Sequence, residues 1–300
     1  MTMIDRRLRY VMVVADEGSF TRAAHILHVS QPALSQQIKQ LEEELGIQLL
    51  DRTGRAIQAT DAGKALIGRT RNALAELEAG VRAAKDVGDL SSGMLRLGFT
   101  PSFTTYLIGP IMQAYHARYP GIDLRLHESS QEDVEALLGD DLLDLGIGCS
   151  QVLSDDVDWE PLYTERLCLA IRTGHPALAG QHVFNAKDLS KLQMALLGQG
   201  FATRIAVNDY LRRAGVKPQI RAEVNSMSSL LELVQLTDLI TILPDAMQPR
   251  QPGLEFKSLI PDLPSRSSIL MVRRGAFQSA ASLVFADMLK EHVKTLQRVR

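Results

Sequence analysis

Residues 19–63 constrain the fold of this chain more than any other stretch. Apolar residues recur there at helical spacing, with a short break at His28-Val29, which predicts two short helices joined by a tight turn. Ser19 and Ser30 stand where these helices would begin, and both can cap a helix N-terminus. Residues 49–60 then predict a basic hairpin that leads into a long helix. This order of elements is typical of a winged helix-turn-helix.

The second of these helices has an apolar face and a polar face. We expect its large apolar residues to face the core: Leu34, Ile38, Leu41 and Leu45. The opposite side carries amide, hydroxyl and ammonium groups at Gln31, Ser35, Gln36 and Lys39. Such groups can hydrogen-bond to base edges or phosphates. A polar face alone is more often solvated, but the helix before it and the basic hairpin after it favour a helix that enters the DNA major groove.

Two arginines lie near the tip of the predicted hairpin. Arg52 and Arg55 flank its turn, where they are placed for phosphate or minor-groove contact. A long helix follows from Thr60 to about residue 88, with apolar residues close to a heptad seam at Leu66, Ala73, Leu77, Val81 and Ala84. The seam could pack on its own domain, but its length and its position between two domains favour pairing with a second copy. A dimer would place two recognition helices about one DNA turn apart, on a near-palindromic site.

The motifs of this region resemble those of the LysR-type transcriptional regulators. The residues that carry the resemblance are those at 18–24, 29–35, 40–42, 45–46 and 49–52, together with Thr60, Ala62 and Gly63. The resemblance implies a winged helix-turn-helix, a linker-helix dimer, an effector-binding domain and usually a tetramer. It also implies DNA contacts from Ser30, Gln31, Pro32, Ser35, Gln36 and Lys39, with Arg52 and Arg55 of the wing assisting. The expected partners are double-stranded DNA, a small effector, further copies of the chain and RNA polymerase.

The rest of the chain alternates short apolar runs with helical segments. The runs that predict strands are 94–100, 122–128, 142–148, 166–172, 194–198, 219–224, 239–243 and 268–273. This rhythm predicts parallel sheets and an α/β domain. We expect two lobes of the kind found in periplasmic binding proteins, joined by strands near 162–164 and 266–268. The predicted division is a DNA-binding domain at 1–60, a linker helix at 61–90 and an effector-binding domain at 91–300, with lobe I at 91–162 and 268–300 and lobe II at 163–267.

A cleft between such lobes would bind a ligand beyond the carboxyl ends of the strands. The residues predicted to contact the ligand are Thr100, Ser102, Phe103, Ser129, Gly148, Phe201 and Thr203. Each hydroxyl could be only a helix cap, but three polar segments in one cleft favour a small anion or carboxylate. These segments are also similar to those of the cyanate-operon regulator, a narrower resemblance within the LysR group.

Signals for other functions are weak. Gly198 and Gly200 with Glu223 imitate a dinucleotide fingerprint, but Thr203 occupies the place of its third glycine, which disfavours an NAD-dependent enzyme. The sequence contains no G-x-S-x-G or H-E-x-x-H motif. We therefore expect no catalytic residues, no metal site and no cofactor. A plain solute-binding protein fits the α/β lobes, but the DNA-reading N-terminus and the absence of an export signal count against it.

Composition and cysteine usage set the remaining limits. The net charge of −2 disfavours a nonspecific nucleic-acid binder, because such proteins are strongly basic. The two cysteines, Cys149 and Cys168, form no C-x-x-C pair, and no apolar run is long enough to span a membrane. These features predict a cytoplasmic protein without a membrane partner. A redox role for Cys149 is conceivable, but a small buried hydrophobic role is the more common one.

Overall fold

The computed structural model describes residues 6–54, 56–85, 90–149, 152–178 and 184–298. The chain consists of two units, Met1–Ala79 and Gly80–Arg300. The elements that begin in the first unit are α1 (Arg6–Glu17), α2 (Phe20–Ile26), α3 (Gln31–Leu45), β1 (Leu50–Asp51), β2 (Gln58–Ala59) and α4 (Asp61–Lys85). None of the described helices combines the length and apolar content needed to cross a bilayer.

The helix-turn-helix forms as its caps predict. The Ser19 hydroxyl accepts a hydrogen bond from the Arg22 backbone N–H, and that of Ser30 accepts one from the Ala33 N–H, each at 3.4 Å. Pro32 lies in the first turn of α3, where its missing N–H leaves no helical bond unmade. The two serines therefore fix where α2 and α3 begin.

The core of the first unit confirms most of the predicted apolar face of α3. Leu34, Ile38 and Leu41 are buried against α1 and α2. Leu45 was expected beside them, but it is 46% exposed. It is the last residue before Gly46, which ends α3 in the left-handed conformation, so the final turn extends past the packed helices.

A hairpin follows α3, with β1 and β2 antiparallel and Leu50 opposite Ala59. The Thr60 hydroxyl caps α4 by accepting from the Gly63 N–H at 3.0 Å. Gly63 packs so closely on the hairpin that a Cβ atom there would lie 2.0 Å from the Leu49 carbonyl oxygen. Glycine is therefore required at this position.

The first part of α4 packs into the core of its unit. Ile67 and Thr70 are buried, whereas Leu77 is exposed. The side chains of Val81 and Ala84, predicted for the dimer seam, lie outside the described residues. Dimerisation through α4 stays a prediction.

The second unit is a mixed α/β structure, and its described residues form five more α-helices after α4. Its strands are β3 (Gly93–Phe99), β4 (Ile122–Glu128), β5 (Leu145–Cys149), β6 (Val157–Arg172), β7 (Phe184–Asn185), β8 (Gln193–Leu197), β9 (Gln219–Val224), β10 (Thr241–Pro244), β11 (Leu254–Lys257), β12 (Leu259–Ile260) and β13 (Ser265–Arg273). Its helices are α5 (Gly109–Arg118), α6 (Gln131–Gly139), α7 (Ala202–Arg213), α8 (Met227–Leu236) and α9 (Ala280–Arg298). A 3-10 turn, Pro101–Phe103, and a π-helical turn, Thr104–Ile108, connect β3 to α5.

The large sheet is only partly parallel, which corrects the sequence prediction. Its order is β10-β6-β13-β5-β3-β4, with β11 also paired to β6. Strands β4 and β5 lie parallel to β3, but β13, β10 and β11 run antiparallel to β6. A crossover helix makes neighbouring strands parallel. The long strand β6 instead pairs with segments that return beside it, a relation that hydrophobic periodicity does not encode.

Two long strands run side by side through the middle of this unit. β6 and β13 are paired from Val157 opposite Arg273 to Arg166 opposite Ser265, with Tyr163 opposite Ser268. The predicted connecting segments, 162–164 and 266–268, lie within this pairing. Glu165 and Arg266 are direct cross-strand partners. The lobe boundaries proposed from the sequence stay a prediction.

Candidate functional site

A buried arginine joins three elements of the second unit. The side chain of Arg266, on β13, is 8% exposed. Its Nε donates to Glu165 Oε1 on β6, its Nη1 donates to Thr203 Oγ1 at 2.9 Å, and its Nη2 donates to Ser102 Oγ at 3.0 Å. Thr203 belongs to the first turn of α7, and Ser102 belongs to the turn after β3. One guanidinium group thus ties β6, α7 and that turn together.

The partner carboxylate is sealed from solvent. Glu165 has 0% exposure, and it accepts a hydrogen bond from the Tyr106 hydroxyl at 2.6 Å, which is also 2.5 Å from the Tyr163 hydroxyl. Burial, and next the charge of Glu165, raises the pKa of Tyr106 far above its ordinary value. Burial is the largest single influence on Arg266 and lowers its pKa, but Glu165, Cys149 and Tyr106 together outweigh burial, so the pKa of Arg266 is raised. Arg266 is therefore a permanent cation and the tyrosines stay protonated.

A cavity of about 310 Å³ lies against this arginine. Three backbone segments line it, residues 100–102, 128–131 and 200–203, together with Leu197, Asn225, Met227 and Arg266. The volume is near the lower end of the range for small-molecule sites, about 300–1,000 Å³. The apolar part of the wall comes from Leu197, Phe201 and Met227, and the remainder is largely polar.

The helices that begin at the cavity differ in their caps. The Ser130 hydroxyl caps α6 by accepting from the Asp133 N–H at 3.1 Å, and the Ser226 hydroxyl caps α8. At α7 the N-cap residue is Phe201, and no side chain caps this helix. The first N–H groups of α7 therefore keep a partial positive charge that favours an anion.

Five of the seven residues predicted to contact the ligand line the cavity: Thr100, Ser102, Ser129, Phe201 and Thr203. The hydroxyl of Ser129 is engaged, however, because it donates to Asp133 at 2.6 Å. This bond, with that from Ser130, lowers the pKa of Asp133.

The other two predicted contacts do not reach the cavity. Phe103 is fully buried in the core. Gly148 lies beneath Gln131, whose Oε1 would be 2.9 Å from an added Cβ atom and already accepts the Cys149 N–H at 2.8 Å. The Gln131 side chain therefore stands between Gly148 and any ligand.

Sequence reasoning missed Arg266 and Glu165, the charged centre of the site. The pair joins positions 101 residues apart, and neither residue follows a glycine-rich or capped turn. One signal was present: Glu165 lies at an alternate position with the apolar residues Tyr163 and Leu167, so all three face the same side of β6. A charged residue on the inward face of a strand needs a partner.

The two cysteines lie far apart in the fold. Cys149 ends β5 and is buried, and burial raises the pKa of its thiol, while Arg266 acts in the opposite direction. Cys149 lies opposite Ser268, which pairs with Tyr163, whereas Cys168 lies five residues further along β6. Five residues of strand span roughly 16 Å, well beyond the separation of about 7 Å between Cα atoms at which a disulfide can form. The pair cannot form an internal disulfide in this fold.

In the first unit, the predicted DNA-contacting face of α3 is open. Gln31, Pro32, Gln36 and Lys39 are exposed and Ser35 is half-buried, while Ser30 is exposed at the helix cap. Lys39 lies 3.6 Å from Glu43, with both side chains largely solvated. The polar groups of this face are thus available to a partner.

The wing arginine Arg52 already has intramolecular partners. Its Nη2 donates to Glu42 Oε2 at 2.7 Å, its guanidinium lies 5.2 Å from the centre of the Phe20 ring, and its side chain is 32% exposed. Arg55, the second predicted wing contact, lies outside the described residues. Both wing assignments stay predictions, and Arg52 has a structural role beside any contact with DNA.

Comparison with known proteins covers both parts of the chain. Residues 6–64 match the family "Bacterial regulatory helix-turn-helix protein, lysR family", and residues 88–294 match the "LysR substrate binding domain". A hydrogen peroxide-inducible genes activator from Pectobacterium carotovorum subsp. carotovorum is 31% identical over 292 residues, which cover 96% of both chains. The nitrogen assimilation regulatory protein nac of Escherichia coli (strain K12) is 32% identical over 242 residues, 80% of this chain and 78% of that protein.

Solved structures share the fold. A full-length OxyR variant from Pseudomonas aeruginosa has a TM-score of 0.70 at 22% identity and covers 98% of this chain and 95% of its own. Full-length BenM has a TM-score of 0.56 at 27% identity, covering 99% of this chain and 97% of its own. Neither these structures nor the two relatives support the narrower resemblance to the cyanate-operon regulator.

Proposed function

The chain belongs to the LysR family of bacterial transcriptional regulators, and we propose that it responds to a small molecule whose anionic group, such as a carboxylate, binds at Arg266. Like its relatives, it is a ligand-responsive DNA-binding regulator and not an enzyme.

The observation that carries the effector proposal is the set of unused donors at Arg266. A guanidinium group has five N–H donors, and three of them bond to Glu165, Thr203 and Ser102. Because the hydroxyls of Ser102 and Thr203 accept from Arg266, their own hydrogens are free to donate to a ligand. The uncapped N-terminus of α7 adds backbone donors. A carboxylate at this point would satisfy several of these groups at once.

A thiol-based peroxide response is the alternative suggested by the names of the peroxide-inducible relatives. Oxidation by a peroxide needs an accessible thiolate of low pKa. Cys149 is buried with a raised pKa, and it cannot reach Cys168. These features favour reversible binding of an effector over thiol oxidation.

For DNA we propose that the exposed face of α3 enters the major groove, with Gln31, Pro32, Ser35, Gln36 and Lys39 as the contacting residues. Pairing of two chains through α4 would present two such helices to a near-palindromic site. Effector binding would shift the equilibrium between arrangements of the paired domains, since a ligand favours the arrangement that it binds better. The resulting change in DNA geometry would alter access for RNA polymerase. A protein with this role acts in the cytoplasm, where the DNA is.

The test measures effector and DNA binding separately. Small carboxylates and inorganic anions are screened by thermal shift, and hits are added to operator-binding assays with wild type, Ser102→Ala and Thr203→Val. We expect a hit to raise the melting temperature of the wild type by mass action and to change the footprint. Both variants should bind the operator normally and lose the response. The proposal is wrong if no anion binds, or if both variants respond like the wild type.

A further inference from the structure

We infer that the effector is zwitterionic, an amino-carboxylate whose ammonium group meets Glu128 while its carboxylate meets Arg266. This inference rests on the proposed carboxylate site. It adds a second pole to the ligand and so names the substrate class more narrowly.

The cavity wall carries charges of both signs. Among the described residues that line the cavity, Arg266 and Glu128 are the two with formal charges. Arg266 is already paired with Glu165. Glu128 is exposed at the end of β4 and accepts a hydrogen bond from the Thr104 hydroxyl, and no described cation forms an ion pair with it. Glu128 and Glu165 are both carboxylates and Arg266 is the one described cation beside them, so negative charge exceeds positive charge by one.

This balance disfavours a plain carboxylate. Such a ligand would place a third negative charge beside a single guanidinium group, in a cavity where solvent screens charges less than in bulk water. A ligand that also carries an ammonium group brings no net charge. Its cation would neutralise Glu128, so both carboxylates on the two sides of the cavity would be paired.

The two poles are close enough for one small molecule. Ser102 holds Arg266 and Thr104 holds Glu128, and these two residues are separated by a single position in the turn after β3. Consecutive Cα atoms lie about 3.8 Å apart, so the two anchors are within several ångströms of each other. Glu128 keeps most of its lone-pair positions free, because a carboxylate has about four and Thr104 uses one. An ammonium group with three donors suits that acceptor.

The experiment compares matched ligands by isothermal titration calorimetry. The probes are the twenty standard amino acids and the ω-amino acids from glycine to 5-aminopentanoate, each beside the carboxylic acid that lacks the amino group. We expect at least one amino-carboxylate to bind the wild type ten or more times tighter than its matched carboxylate. Glu128→Gln should abolish most of this preference by weakening the amino-carboxylate alone. Glu132→Gln, an exposed carboxylate on α6 outside the cavity wall, is the control and should change nothing.

The outcomes separate this inference from the proposed function. Equal affinity for matched pairs in the wild type, or an unchanged preference in Glu128→Gln, overturns the zwitterion and leaves the carboxylate site in place. If neither amino-carboxylates nor carboxylates bind, and Ser102→Ala responds to every tested anion as the wild type does, the zwitterion and the proposed carboxylate site are both wrong. Thr104→Val provides a second variant, since it removes the hydroxyl that holds Glu128 and should reduce the preference without removing the charge.

Discussion

Glu42 on α3 and Arg52 after β1 form an ion pair of 2.7 Å that ties the helix to the wing. The same carboxylate accepts the backbone N–H groups of Leu49 and Leu50, at 2.8 and 3.1 Å. One side chain therefore satisfies two hairpin donors and a partly buried guanidinium. Glu42 sets the position of the wing relative to the helix proposed to read DNA.

Glu42→Ala should destabilise the first unit by about 2–4 kcal/mol, because two backbone donors and Arg52 lose their acceptor together. Urea unfolding followed by circular dichroism measures the effect. Glu43→Ala is the matched control, since its pair with Lys39 is solvated and should contribute less than about 1 kcal/mol. Equal stability of the two variants would contradict the assigned role of Glu42.

Gly63→Ala should also lower the stability of the first unit, because the new Cβ would lie 2.0 Å from the Leu49 carbonyl oxygen. Relief requires a backbone shift, and overpacking of this kind costs about 1–3 kcal/mol or more. Gly68→Ala lies on the same helix with no heavy atom within 4 Å of the added carbon. It should gain up to about 1 kcal/mol of helix propensity. Thermal unfolding of both variants tests this, and a Gly63→Ala protein as stable as Gly68→Ala would refute the packing argument.

Local signals in the sequence predicted the elements well, and long-range pairing was not predicted. Ser19, Ser30 and Thr60 cap the helices as expected, and strands β4 and β9 begin and end at the predicted residues. These features depend on neighbours within a few positions. The direction of β13 beside β6 depends on how distant segments return, which periodicity cannot show.

For the site, too, the local features were predicted and the long-range contacts were not. Hydroxyls at helix starts indicated Ser102 and Thr203, but the sequence did not reveal that both bond to Arg266. Arg52 was assigned to DNA from its position near the hairpin tip, and its partner Glu42 lies ten positions away on another element, α3. A charged side chain carries no local mark of the partner it will find in the fold.

Glu165→Gln should destabilise the second unit by about 3–5 kcal/mol, because it leaves the buried charge of Arg266 without its carboxylate. Replacing both partners by apolar residues, as in Glu165→Leu with Arg266→Met, should cost less than that single change. Chemical denaturation of the three proteins gives the comparison. A loss below about 1 kcal/mol in Glu165→Gln, as for an exposed ion pair, would show that solvent reaches this pair.

Cys149 should resist iodoacetamide at pH 8 in the native protein and react readily after unfolding. Its thiol is buried, and burial raises its pKa, so the reactive thiolate forms only at higher pH than for a free cysteine. Mass spectrometry of the labelled peptide measures the rate, with the unfolded protein as reference. Rapid native labelling, or a peroxide response that Cys149→Ser removes, would reinstate the thiol as a sensor.

Lys39→Ala should weaken operator binding with little effect on stability, since the contact of Lys39 with Glu43 is solvated and long. If the ammonium group meets a phosphate, the slope of log K against log salt falls by about 0.9. If it reads a base, the loss is confined to operators that keep that base and the slope changes less. Lys187→Ala, an exposed lysine of the second unit, controls for the removal of one positive charge. Identical affinity and slope for wild type and Lys39→Ala would exclude Lys39 from the DNA contact and leave the amide side chains of α3 to supply it.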